Sequence, residues 1–103
     1  TKEVDRYKKL FPENIIIKGI VDPIEELSKS WVYLYPFTIP YGTMAYPLSL
    51  YESQQCDTPF IACNIGAVPE YFDSKYLIAP FDIISMVKKI EGFIIARKAE
   101  INL

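Results

Sequence analysis

The four consecutive apolar residues Phe60-Ile61-Ala62-Cys63 constrain this chain more than any other feature. A short, unbroken apolar run with a tight turn before it and glycine after it reads as a strand covered on both faces, as in a parallel sheet. The flanks agree. Pro47 is pre-set for a first helical turn and Ser49 can accept from amides that turn leaves unpaired, so a helix is predicted over residues 48–55, with Asp57 and Thr58 turning the chain. Downstream, Gly66-Ala67-Val68-Pro69-Glu70 forms a loop that a parallel sheet would place at its carboxyl edge, where open α/β folds bind ligands.

The rest of the chain alternates in the same way. Val4, Tyr7 and Leu10 share a helical stripe before Pro12, predicting a short amphipathic helix over residues 2–10 that covers a sheet face. Residues 14–18, a β-branched run closed by Gly19, read as a first buried strand. Asp22 with Pro23 and Glu25 is a helix start close to a capping box, and that helix runs to about Ser30. Residues 31–36 form a second strand ended by Pro36, and residues 37–46 a loop rich in aromatics. One helical turn is expected over 68–72, a fourth strand over 76–79, and a last helix capped by Asp82. In that helix Ile83, Val87, Ile90 and Ile94 recur as far as about Arg97. Strands alternating with helices imply a Rossmann-like α/β parallel sheet of about four strands with helices on both faces.

Composition removes several function classes. A net charge of −2 and a pI near 5.1 give no pull toward nucleic acid. The absence of histidine excludes a Cys-His nucleophile or a His-bearing metal site within this chain. No apolar run approaches the ~18 residues of a membrane span, and the polar amino terminus is not signal-like. The expected location is the cytoplasm, free or peripheral to a membrane. Cys56 and Cys63 are expected to be free thiols. A chain of 103 residues suits one domain or part of one.

In order and without a gap, Glu52, Cys56-Asp57-Thr58-Pro59, the strand and Gly66-Ala67-Val68-Pro69-Glu70 resemble the signature of group 1 (family four) GT-B glycosyltransferases. That signature has a glutamate-bearing helix, Cys-Gly-Thr-Pro, a hydrophobic strand, then Gly-Gly-x-Pro-Glu. The resemblance covers roughly the second half of the nucleotide-sugar-binding domain. It implies part of a retaining hexosyltransferase that works with an acceptor domain and needs neither metal nor cofactor. It places nucleotide-sugar contacts at Pro36, Met44, Tyr46, Leu48, Ser49 and Glu52. The matching glutamate accepts from ribose hydroxyls; otherwise Glu52 is a solvated first-turn residue. Ser49 is a phosphate contact or an ordinary cap, and Glu70 is structural. The family's second glutamate, eight positions before Glu52, is Met44 here.

No lysine or arginine lies between Ser30 and Lys75, so these loops hold no cation for a leaving diphosphate, and the chain alone is expected to be inactive. The alternative is a non-catalytic module for nucleotide recognition or assembly. The family's two earlier strand-helix units sit mid-sheet, so without them the chain is expected to expose strand edges and to self-associate, unless its first two strands pair directly.

Overall fold

A computed structural model of the chain describes residues 2–10, 13–38 and 48–101, leaving out the side chains of Val4 and Tyr7. It is an α/β unit built on a parallel sheet of three short strands, β1 (Tyr33–Tyr35), β2 (Phe60–Cys63) and β3 (Leu77–Ile78), in that spatial order. Tyr33 pairs with Phe60 and Tyr35 with Ala62; on the other side Ala62 pairs with Leu77 and Cys63 with Ile78. As the middle strand, β2 is buried along its whole length, which accounts for its unbroken apolar sequence.

Side-chain alternation divides two cores between the faces of β2. On one face Phe60 and Ala62 pack with Leu50, Val68, Phe72 and Leu77, and with half-buried Tyr33 and Tyr35. Ile61 and Cys63 face the other way, with Ile78 and with Met86, Ile90 and Phe93. The first core is closed by α3 (Leu48–Gln55), the second by α5 (Ile83–Ile101). Outside α3 lies α2 (Pro23–Lys29), whose Leu27 is buried. Asp22 caps α2 as expected, accepting from the Ile24 and Glu25 amides. No helix among the described residues is long and apolar enough to cross a membrane.

The structure corrects several expectations. Residues 14–18 form no strand: Ile16 is 83% exposed, and Lys18 is engaged in an exposed ion pair with Glu26 at 3.0 Å. A β-branched run becomes a strand only when a ladder satisfies its backbone, and no described segment pairs with it. The first two predicted strands therefore do not join. β3 is shorter than expected because Ser74–Tyr76 forms a 3-10 turn capped by Asp73.

On α5 the inward stripe is half-buried Met86, Ile90 and Phe93; of the expected series Ile90 lies on it, whereas Ile83 and Val87 are 61% and 46% exposed. Both series have helical spacing, and only the sheet decides which faces inward. The helix α1 (Lys2–Leu10) forms, but Leu10 is 56% exposed and does not seat it on a sheet face; the stripe residues Val4 and Tyr7 lie outside the described side chains.

Candidate functional site at the carboxyl edge of the sheet

Because all three strands run parallel, Tyr35, Cys63 and Ile78 end along one edge, and the segments after them share that edge. Connectivity brings the start of α3 there as well, since the chain must return along the sheet before entering β2.

Pro36 is exposed directly after β1, and the Phe37 ring lies 4.6 Å from that of Tyr35, tilted by 57°. Tyr33 and Tyr35 belong to the core. Burial, with the neighbouring Tyr33 adding to it, holds the Tyr35 phenol above its ordinary range. Met44, Tyr46 and Tyr41 lie outside the described residues.

After β2 the Asn64 amide donates to the Ile78 carbonyl at 2.7 Å, extending the ladder by one bond. Gly66 then takes a left-handed φ of 55°, open to glycine at no steric cost, and the Val68 amide donates to the Ile65 carbonyl. The turn feeds α4 (Val68–Tyr71), which Val68 anchors in the core, while Glu70 stays exposed near its start. After β3, Phe81 adopts a φ of 66° and is 78% exposed; nothing in its sequence context signalled this. Asp82 next to it accepts from the amide and hydroxyl of Ser85, and these bonds hold its carboxyl below the usual range.

On α3, Leu50 and Ser53 are fully buried, whereas Leu48 and Tyr51 are 53% and 44% exposed. Between these stripes Ser49 and Glu52, three residues apart, are both half-buried and so share one side of the helix. Glu52 is the fifth residue of Leu48–Gln55, which corrects the expected first-turn position and places it beyond the strongest part of the helix dipole. Ser49 stands inside the helix and is no N-cap. Sequence reasoning thus placed Leu48, Ser49 and Glu52 on one helix entering the carboxyl edge, with Pro36 on the loop that leads toward it. Among the described residues no group of three carboxylates or thiols could hold a metal ion.

The motif residues at the far end of α3 have structural work. The Asp57 amide donates to the Gln54 carbonyl and the Thr58 amide to the Ser53 carbonyl, the paired bonds of a Schellman ending. That ending requires a left-handed residue, and Asp57 supplies it with φ 54°. The glycine in the resembling Cys-Gly-Thr-Pro motif was the signal for this conformation. A groove of about 690 Å3 opens at this amino edge of the sheet, on the opposite side from the residues proposed by sequence.

A family model described as glycosyl transferases group 1 matches residues 1–95. No curated protein and no solved structure matches the chain significantly.

Proposed function

The chain belongs to the group 1 glycosyl transferases, and from that premise we propose that it forms part of the donor half of a retaining hexosyltransferase of GT-B architecture. A nucleotide-activated sugar binds along the carboxyl edge. Glu52 accepts from the ribose hydroxyls, the first turn of α3 around Leu48 and Ser49 meets the diphosphate, and Pro36, Met44 and Tyr46 line the approach. The observation that carries this reading is the shared half-buried stripe of Ser49 and Glu52 on the helix that starts at that edge. Glu70 caps no ligand; it serves the turn into α4.

In transfer the bond between the anomeric carbon and the phosphate oxygen breaks, and the leaving diphosphate needs positive charge. Residues 31–74 contain no lysine or arginine, so the cation comes from outside this stretch and the chain alone is inactive. An acceptor domain completes the enzyme, in the cytoplasm or at a membrane surface. The test is calorimetry of the full-length protein with nucleotide sugars. Glu52→Gln should weaken binding by about 1 to 3 kcal/mol, the value of a hydrogen bond to a charged group, without unfolding the chain. Unchanged affinity would leave Glu52 a solvated helix residue.

Met44 favours a second reading, a non-catalytic module that keeps nucleotide recognition or an assembly role, because a thioether cannot accept the sugar hydroxyl bonds of a carboxylate. Full-length protein that binds a nucleotide sugar but neither hydrolyses nor transfers it would decide for this reading.

A further inference from the structure

We propose that the groove at the amino edge of the sheet is a binding site for a neutral saccharide, separate from the donor site at the carboxyl edge. Its wall includes Trp31, Gln54, Asp57, Tyr76, Arg97 and Glu100. Three features point to this ligand class.

The first is aromatic. Trp31, the only tryptophan of the chain, is 38% exposed at the groove instead of joining either core. The Phe60, Tyr76 and Phe93 rings stack on one another, with centroids 4.8 and 6.1 Å apart and interplanar angles of 28° and 17°, and with Phe60 fully buried they leave Trp31 the most exposed aromatic of the wall. A sugar ring presents polarised C–H groups on one face, and the negative face of an aromatic ring attracts them.

The second is polar. Gln54 offers both donor and acceptor, while Asp57 and Glu100 offer paired acceptor oxygens suited to neighbouring hydroxyls. Among the described residues the single cation of the wall, Arg97, is paired with Glu100 at 3.4 Å. Two carboxylates against one guanidinium leave the groove net negative, which disfavours phosphate and nucleic acid and favours an uncharged polyol.

The third is conformational. Asp57 holds a left-handed backbone at a position that glycine fills without cost, and it lines the groove. A strained residue at a cavity wall points to use of that side chain.

Trp31 reports binding directly, because no other tryptophan contributes to emission. The chain is titrated with maltohexaose and, separately, with cellohexaose, as α- and β-linked probes. The expected result is a saturable blue shift with at least one of them, unaffected by saturating uridine diphosphate. Asp57→Gly removes the carboxylate while easing the backbone, so it should stay folded by circular dichroism and bind roughly tenfold more weakly. Absence of a saturable change with both saccharides overturns the proposal, as does undiminished affinity in Asp57→Gly. Displacement of the saccharide by uridine diphosphate would also overturn it, by merging the groove with the donor site; loss of nucleotide binding in Glu52→Gln leaves the groove unaffected.

Discussion

The hydroxyl of Thr58 donates a 2.6 Å hydrogen bond to the carbonyl of Leu27, thirty-one residues earlier, and both residues are buried. This bond ties the last turn of α2 to the turn before β2. Thr58 is held at its other atoms too: its carbonyl accepts from the Ser53 hydroxyl at 2.6 Å and its amide donates to the Ser53 carbonyl at 3.0 Å. Thr58→Val keeps the shape and removes one of the two bonds that the Leu27 carbonyl accepts, the other coming from the Ser30 amide, at a cost of about 0.5 to 1.5 kcal/mol. Thermal unfolding should show a fall of several degrees for Thr58→Val and much less for Thr58→Ser. A larger loss in Thr58→Ser than in Thr58→Val would mean that the methyl, not the hydroxyl, is what matters.

Asp57 carries the opposite expectation. A left-handed conformation costs an L-residue roughly 1 to 2 kcal/mol, part of which glycine returns through its freer unfolded chain. Asp57→Gly should therefore stabilise the chain by up to about 1 kcal/mol in urea unfolding, with an unchanged slope. A loss of stability would show that contacts of the Asp57 side chain outweigh its backbone strain.

Strand β2 and the Asp22 cap were legible because each depends on local chemistry, a run buried on both faces and a carboxylate facing free amides; the Pro47 start expected for α3 lies outside the described residues. Residues 14–18 misled because strand propensity reports a side chain's fit to a pleated surface and not the presence of a neighbour to pair with. The inward stripe of α5 was equally hidden, since exposed Ile84 and Ile95 are as apolar as buried-side Ile90. For the site, helical spacing was enough to pair Ser49 with Glu52. The amino-edge groove depends on Trp31, Gln54 and Arg97 meeting from distant segments, which no local pattern encodes.

The two free cysteines should differ in reactivity. Cys63 is 3% exposed on β2 and burial pushes its thiol up, so little thiolate forms and little reagent reaches it. Cys56 is half-buried at the end of α3, its sulfur 3.8 Å from the Ile24 carbonyl. Iodoacetamide followed by peptide mass mapping should label Cys56 first and Cys63 only as denaturant unfolds the chain. Early labelling of Cys63 would mean that β2 opens locally.

Acid should loosen the start of α5. The Asp82 carboxyl is held low by the Ser85 hydroxyl and amide, so its folded pKa lies below the unfolded one. Its stabilising contribution is present above the unfolded value and is lost as pH falls through the folded value. Asp82→Ala should lower the melting temperature at neutral pH and flatten its decline through the acidic range. An unflattened decline would assign the acid sensitivity to other groups, of which Glu26, held low mainly by its bond to Lys18, is the next to test.

The outer edge of β1 bears on self-association. Tyr33 and Tyr35 turn their backbone groups toward β2, so the alternation of a parallel ladder leaves the amide and carbonyl of Leu34 at the opposite edge. No described segment pairs there, and the Leu34 side chain is 42% exposed. Such an edge is a template for another strand, so the chain alone should associate at micromolar concentration in sedimentation velocity. Leu34→Pro removes the outward amide while sparing the inward bonds of Tyr33 and Tyr35, and proline is tolerated on an edge strand. The variant should sediment as a monomer with native circular dichroism. If the unaltered chain is already monomeric, the edge is covered from within; if Leu34→Pro associates as before, the contact lies elsewhere, with exposed Phe81, Ile83 and Ile84 at the start of α5 the next surface to alter.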